Sequence, residues 1–81
     1  MKSKPSAKNS VKVGTTYQHY KGNMYYVLAV GKHSETLEDL VVYISLYNNP
    51  ESKIWIRPLS MFNQTVEHQG KTVKRFRLVA K

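Results

Sequence analysis

The chain has 81 residues, 41% of them hydrophobic, with no cysteine and a formal net charge of +8. A chain of this size forms one small domain that its core alone stabilises only marginally, and without cysteine it has neither disulfides nor thiolate metal sites. Little chain remains for a buried catalytic cavity, so we expect a binding protein and not an enzyme, working without a cofactor or a metal. No stretch approaches the roughly 18 apolar residues of a membrane span, and no secretory signal is recognisable. We therefore expect a cytoplasmic monomer with no membrane partner.

The positive charge is concentrated at the start of the chain, where the first twelve residues contain four lysines and no acidic residue. Because this segment has almost nothing to bury, it cannot offset its ordering entropy. We predict that residues 1–12 form a disordered basic tail and that residues 13–81 form a single small β domain. A basic surface attracts nucleic acid or nucleotides. Ordinary solubility charge is the alternative, since charge alone is unspecific.

Short segments rich in β-branched and aromatic residues follow this tail and are separated by turn formers. The predicted strands are residues 14–21, 24–30, 40–47, 53–57, 65–68 and 71–76. Gly22-Asn23 and Gln69-Gly70 have the composition of tight hairpin turns. Residues 77–81 are interpreted as a basic end.

The fourth of these strands ends at Pro58, which also begins a single helical turn over residues 58–62. Proline is well suited to the first position of a helix, and a turn this short is predicted to be of the 3₁₀ type. Strand after short strand with one helical turn before the last pair predicts an all-β fold. It is either a small antiparallel SH3-like barrel or a strongly bent sheet of five to six strands.

The strand over residues 40–47 carries two different sets of side chains, which alternate between its faces. The even positions are all aliphatic: Leu40, Val42, Ile44 and Leu46. The odd positions include Tyr43 and Tyr47. We expect the aliphatic set to face the core and the tyrosines to be half exposed.

The polar connection over residues 33–39 is the first place to look for a site. It contains the residue types of a hydrolytic triad in His33, Ser34 and Glu35, but consecutive residues of an extended loop point apart, which argues against catalysis. Local turn hydrogen bonds are one interpretation, and presentation of His33 and Glu35 to a ligand is the other. The histidines at 19, 33 and 68 lack the close spacing of metal ligands.

Aromatic residues occur beside cations along the chain, as in barrels that stack bases and hold phosphates. We expect Tyr17 or Tyr20 to stack on a ligand, unless these rings only fill the core. Lys21, Lys32 and Arg57 are the expected sources of charge.

Arg57 has two possible partners: a carboxylate of Glu35 or Glu38, or an anionic group of a ligand. His33 closes the second strand and Arg57 closes the fourth. We therefore predict that His33, Glu35 and Arg57 meet at one end of the domain.

Blocks of residues in this chain resemble the domain-of-unknown-function family 1653, a family of small bacterial proteins. The blocks are residues 17–23, 25, 27–28, 30, 33–38, 40–43, 46–47, 57–59, 61–62 and 70–71. The resemblance covers residues 14–76, and it implies no activity.

The resemblance sharpens the set of residues to consider. The family motifs fall on His19, Lys21, Gly22, His33, Glu35, Thr36, Tyr43, Arg57 and Pro58. The chain departs from the family pattern at Gln18 and Ile44, where arginine is expected, and at Lys74, where proline is expected. An arginine at position 44 implies that the even face of that strand is exposed to solvent and that the tyrosines point inward, because a slip of one residue reverses every side chain.

The sequence thus predicts a small binding module for an anionic ligand, either nucleic acid or a nucleotide. The candidate binding residues are Tyr17, His19, Lys21, His33, Glu35, Thr36, Tyr43 and Arg57. A protein–protein interaction module, using a sheet edge or exposed tyrosines, is the alternative, and a small hydrolase is the third possibility.

Overall fold

A computed structural model describes residues 11–80 as seven β-strands and one helical turn. The strands are β1 (Thr16–His19), β2 (Met24–Lys32), β3 (Asp39–Ser45), β4 (Ile54–Pro58), β5 (Thr65–His68), β6 (Lys71–Lys74) and β7 (Phe76–Ala80), and the helical turn is α1 (Leu59–Phe62). Gly22 and Gly70 adopt the positive φ angles that their turns require, 112° and 79°. In the described part of the chain, no helix is long and apolar enough to span a membrane.

The strands form two antiparallel sheets, one of five strands in the order β4-β3-β2-β1-β7 and one of two strands, β5 and β6. The larger sheet bends at two places where the register shifts, one in β2 between Val27 and Ala29 and one opposite β1 between Thr16 and Tyr17. Within residues 11–80, its end strands β4 and β7 do not pair with each other. The all-β antiparallel prediction is confirmed at this level, and the sheet is not a closed barrel.

Strand β7 was not predicted, and it lies where the sequence suggested only a basic end. Its residues pair with β1, with Tyr17 opposite Leu78 and His19 opposite Phe76. The described residues 11–80 therefore form seven strands and not five to six. Phe76 is 2% exposed, so its burial explains why this short segment joins the sheet despite the flanking cations.

The faces of β3 are the reverse of what its hydropathy predicts. Val41, Tyr43 and Ser45 are buried, at 0%, 3% and 2% exposure, and the aliphatic even positions lie on the outer face of the sheet. The polar atoms of the buried set have hydrogen-bond partners. Arg57 Nε donates to the Tyr43 hydroxyl at 3.1 Å, and Trp55 Nε1 donates to Ser45 Oγ at 2.9 Å. A hydrogen-bonded hydroxyl is buried at little cost. The expected core face was therefore wrong, and the register implied by the family resemblance is confirmed.

Helical turn α1 brings the central side chain of the core. Phe62 is fully buried and stacks on Phe76 with ring centroids 4.1 Å apart and an interplanar angle of 1°. The rings of Tyr17 and Tyr43 meet Phe62 edge to face at 5.3 and 5.5 Å. The turn is α-helical and not 3₁₀ as predicted, because the Asn63 N–H donates to the Leu59 carbonyl four residues back.

Most of the predicted basic tail, residues 1–10, lies outside the described residues. Its last two residues belong to the folded body. Val11 packs against the core, and the Lys12 N–H donates to the Tyr17 hydroxyl at 3.0 Å. The domain therefore begins by Val11, two residues before the predicted boundary.

We expect Phe62→Ala to lower the free energy of unfolding by about 3–5 kcal/mol, because it removes a fully buried ring and leaves a cavity. The neighbouring Met61 is 41% exposed, so Met61→Ala serves as a matched control and is expected to change stability by less than about 0.5 kcal/mol. Urea unfolding monitored by tryptophan fluorescence measures both. Equal losses in the two variants would show that α1 does not anchor the core.

Candidate functional site

The structure divides the predicted site residues between two places. His33, Glu35 and Thr36 lie in the exposed turn between β2 and β3. His33 Nδ1 accepts the backbone N–H groups of Glu35 and Thr36 at 3.1 and 3.3 Å, and Thr36 Oγ1 accepts the N–H of Glu38 at 3.2 Å. These are local turn hydrogen bonds. The imidazole therefore holds its own turn together.

Arg57 does not contact that turn. Its Nε donates to the Tyr43 hydroxyl, and its guanidinium carbon lies 5.7 Å from the centroid of the Phe76 ring. The ion pair with Glu35 or Glu38, one of the two possibilities for Arg57, does not form; in residues 11–80 the salt bridge is between Lys32 and Asp39, at 2.9 Å. The predicted meeting of His33, Glu35 and Arg57 is thus not observed. Arg57 is half-buried and has no carboxylate partner in the described chain.

Arg57, His19 and Tyr43, all predicted site residues, meet around a ring that the sequence did not single out. Phe76 lies 5.0 Å from His19, 5.5 Å from Tyr43 and 5.7 Å from Tyr25, all edge to face. We call His19, Tyr25, Tyr43, Arg57 and Phe76 the Arg57 cluster. It combines one uncompensated cation with aromatic faces and edges, a setting that attracts anions and stacked rings.

His19 also lines a cleft of about 290 Å³ between β1, β7 and the β5–β6 hairpin. We call it the His19 cleft; its lining residues are Gln18, His19, Tyr20, His68, Val73, Lys74 and Arg77. The ring of Tyr20 lies between two imidazoles, 4.6 Å from His19 and 5.1 Å from His68. The lining thus includes two cations, two histidines and a tyrosine, and no carboxylate.

Two contacts orient cations at the His19 cleft. Gln18 Oε1 accepts a hydrogen bond from Arg77 Nη2, while Gln18 Nε2 donates to the Gly22 carbonyl at 3.1 Å. Gln18 is therefore fixed at both ends of its amide and holds the guanidinium in place. The Lys21 ammonium lies 5.8 Å from the centroid of the Tyr20 ring, which places a third cation near the cleft.

Burial lowers the pKa of His19, and the nearby charges of Arg57, Arg75 and Lys21 lower it further. Its Nδ1 accepts the Lys21 N–H at 3.2 Å, so the neutral ring carries its proton on Nε2. At neutral pH, His19 is thus an uncharged donor surrounded by cations. Such a group suits a ligand oxygen, and it adds no charge of its own.

Tyr17 does not serve as a stacking surface. It is 7% exposed, and its hydroxyl accepts the Lys12 N–H, so it is a core residue. Lys32 is likewise engaged by Asp39 and lies beside the β2–β3 turn. Of the rings and cations proposed from the sequence, Tyr20 and Lys21 are the ones close to the His19 cleft.

A second concavity of about 530 Å³ is more open and lies at the β3–β4 turn. At its edge the Tyr25 and Tyr47 hydroxyls are 2.7 Å apart, and Asn49 Nδ2 donates to Tyr47 at 2.9 Å. Burial and the hydrogen bond to Tyr47 raise the pKa of Tyr25 well above its usual range. Lys53 is the cation in its lining, and with fewer rings and charges this groove is the weaker candidate.

Sequence reasoning missed His68, Lys74 and Arg77 as neighbours of His19. They belong to three different strands, and only the pairing of β7 with β1 brings Arg77 beside Gln18. The sequence does contain a signal for this last strand. Residues 76–79 are an aromatic residue and an arginine followed by two apolar residues, a composition that is typical of a β-strand. Within residues 11–80, no group of three potential ligands is arranged to hold a metal ion.

Comparison with known proteins places the chain in a family. The sequence profile of a protein family of unknown function, DUF1653, matches residues 15–78. The chain belongs to the DUF1653 family. The crystal structure of a DUF1653 protein from Bordetella bronchiseptica is similar to it, with a TM-score of 0.81 and 33% sequence identity over 90% of this chain and 92% of the other. No curated protein matches the chain.

Because the pKa of His19 is lowered in the folded protein, protonation of His19 decreases the free energy of unfolding. The unfolded chain binds this proton at an ordinary pKa of about 6.5, whereas the folded chain binds it only at lower pH. Stability is therefore fully retained above about pH 6.5 and falls as the pH drops toward the folded-state pKa. We expect His19→Gln to weaken this loss, measured by urea unfolding at pH 7.5 and at pH 5. An unchanged pH dependence would contradict the assignment.

Proposed function

We propose that this protein binds a phosphate-bearing aromatic ligand, a nucleotide or a nucleotide unit of a nucleic acid, in the His19 cleft. The observation that supports this proposal most directly is that the lining of the cleft combines aromatic rings and cations and contains no carboxylate. Its volume is close to the lower end of the range for small-molecule sites. That size suits a single nucleotide unit better than a larger cofactor.

Charge supports an anionic ligand. Lys74 and Arg77 line the cleft, and Lys21 lies over Tyr20 beside it. The arginine fork offers paired donors that match a phosphate. Arg57, uncompensated in the described chain, adds positive potential next to His19.

The rings support a base. Tyr20 lines the cleft and is partly exposed, although its ring already packs between His19 and His68. Stacking of a base on an aromatic side chain contributes about 1–3 kcal/mol. The Nε2–H of neutral His19 is available as a donor to a base or phosphate oxygen.

Binding, and not catalysis, is the activity proposed. The lining of the cleft contains no serine, threonine or carboxylate, so it lacks both the serine-type nucleophile and the orienting carboxylate of a hydrolytic triad. A hydrolase thus ranks below the binding module. The finer expectations of an SH3-like arrangement, a monomeric state and a cytoplasmic location stay part of this proposal.

The stacking step is tested by titrating ¹⁵N-labelled protein with adenosine 5′-monophosphate and reading the amides of residues 18–20, 68 and 73–77. We expect Tyr20→Ala to weaken binding roughly 5- to 140-fold, the equivalent of about 1–3 kcal/mol. Tyr20→Phe retains the ring and is expected to bind as the native protein does. Equal losses in both variants would remove stacking from the proposal.

The charge step is tested by Lys74→Gln against Lys53→Gln, which removes the same charge from the lining of the other concavity, at the β3–β4 turn. We expect only Lys74→Gln to weaken nucleotide binding clearly, and we expect added salt to weaken binding of the native protein. Adenosine and inorganic phosphate, each alone, should bind more weakly than the nucleotide. Equal effects of the two lysine variants would indicate unspecific attraction, and that outcome overturns the site.

An oligothymidylate of about eight nucleotides separates the two sources of the ligand. If nucleic acid is the ligand, the oligonucleotide binds more tightly than the mononucleotide, and its shifts extend from the His19 cleft to the Arg57 cluster. If a free nucleotide is the ligand, the shifts stay at the cleft and the added length gives no gain in affinity.

A further inference from the structure

Strand β4 is an open edge of the five-stranded sheet. Its neighbour in the described chain is β3 alone, with Ile44 opposite Ile54 and Val42 opposite Ile56. Ser45 N–H donates to the Lys53 carbonyl at 2.8 Å. Because bonded positions alternate along an antiparallel ladder, Lys53, Trp55 and Arg57 face β3 with their backbone groups, and Ile54 and Ile56 direct theirs outward.

The outward backbone groups are almost unused. The Ile54 carbonyl accepts a hydrogen bond from Ser52 Oγ at 2.7 Å. Within residues 11–80, no hydrogen-bond partner lies across this edge for the N–H groups of Ile54 and Ile56 or for the Ile56 carbonyl. Such a row of groups is a template for another strand.

The side chains of the same two residues are also exposed, Ile54 at 52% and Ile56 at 63%. They lie on the outer face of the sheet, where the cross-strand partners are Ile44 and Val42 and the next strand contributes Tyr26. This region of three strands presents β-branched and aromatic side chains without a charge. A strand added to β4 therefore gains both backbone hydrogen bonds and apolar contact on one face.

The other face of the edge determines the chemistry of the partner. Lys53 and Arg57 flank Trp55 at the odd positions, and neither has a carboxylate partner in the described chain. The incoming strand thus needs apolar residues beside Ile54 and Ile56, and acidic residues near the two cations.

A second copy of the chain meets this requirement poorly. Symmetrical pairing around Trp55 aligns Ile54 with Ile56 of the other copy, but it also sets Lys53 opposite Arg57. Like charges at directly opposed positions are destabilising, and each copy carries a net charge of +8. The chain's own first ten residues contain three lysines and no acid, so they do not fit either.

We propose that the open edge of β4 binds an extended segment of a partner protein in which apolar residues alternate with aspartate or glutamate, adding it to the sheet as a further strand. The proposal does not rest on the nucleotide site, although Arg57 lies next to both surfaces. It assigns a role to Ile54, Ile56 and Lys53, which the His19 cleft does not use.

The test uses an acetylated, amidated peptide of about seven residues in which valine alternates with glutamate, titrated into ¹⁵N-labelled protein. We expect the amides of Ile54 and Ile56 to shift and to become protected from hydrogen exchange. Lys53→Gln should weaken binding about two- to fivefold, whereas Lys71→Gln, which removes an equal charge on β6, should leave it unchanged. Failure of this peptide to bind at millimolar concentration would overturn the proposal.

Ile56→Pro is a sharper variant, because it removes an N–H that the fold does not use, and proline is tolerated at sheet edges. We expect it to abolish peptide binding, while Ile56→Thr, which keeps the N–H, reduces binding only in part. If Ile56→Pro does not fold, a peptide N-methylated on its edge-facing amides, tested with the native protein, replaces it and should not bind.

Further results would also reject the partner strand. The first is equal binding of a peptide in which valine alternates with lysine. The second is peptide-induced shifts away from β4, or native-like binding by Ile56→Pro. The third is concentration-dependent shifts of Ile54 and Ile56 without peptide, which would identify a second copy as the occupant. None of these outcomes bears on nucleotide binding measured at residues 18–20.

Discussion

The stacked pair of Phe62 and Phe76 is the contact on which the rest of this structure depends. Phe62 comes from the only helical turn in residues 11–80, and Phe76 opens the strand at one end of the five-stranded sheet. Their parallel rings, 4.1 Å apart, connect two segments that are adjacent neither in sequence nor in the sheet. In a domain this small, one such contact is a large share of the core.

Phe76 has a second role, because its other contacts reach the Arg57 cluster. The ring meets His19 and Tyr43 at its edges, and the guanidinium of Arg57 lies over it. The packing that stabilises the fold is thus continuous with the surface that carries the charge. A substitution at Phe76 would therefore change folding and the proposed binding together, whereas Tyr20 and Lys74 lie at the edge of this arrangement and allow the two to be measured separately.

None of the carboxylates in the described chain lines the His19 cleft. Three of the five acidic residues, Glu35, Glu38 and Asp39, lie in or beside the β2–β3 turn. Glu67 accepts a hydrogen bond from Thr72 within its own hairpin and does not line the cleft. The positive charges of Lys74 and Arg77 in the lining of the His19 cleft are therefore not offset by a carboxylate in that lining.

The sequence predicted the positions of the first six strands because turn formers and β-branched runs are local signals. The faces of β3 were wrong because hydropathy ranks Ile44 above Tyr43, whereas the structure buries Tyr43 through a hydrogen bond from a residue fourteen positions away. No local pattern contains that partner. The family resemblance corrected the face, since it implied a charged residue at position 44.

The site was harder to predict than the fold for a related reason. His33 and Arg57 were expected to meet because both lie near strand ends, but a shared end does not fix the direction of a side chain. The face of β4 turns Arg57 inward to Tyr43, and the β2–β3 turn uses His33 for its own backbone. His19 was identified as a candidate, yet its neighbours His68 and Arg77 depend on long-range pairing that the sequence does not reveal.

Arg57 finally links the two proposed surfaces. Its backbone belongs to β4, the edge to which a partner strand would be added, and its charge lowers the pKa of His19 at the cleft. A strand bound at this edge restricts the movement of β4. It thereby also restricts the position of the Arg57 guanidinium, whose charge lowers the pKa of His19. If the positions of Arg57 with and without that strand differ, the affinities of the two ligands are coupled, and by linkage the effect of each on the other is equal. If Arg57 stays in place on Phe76, the two surfaces act independently on one small sheet.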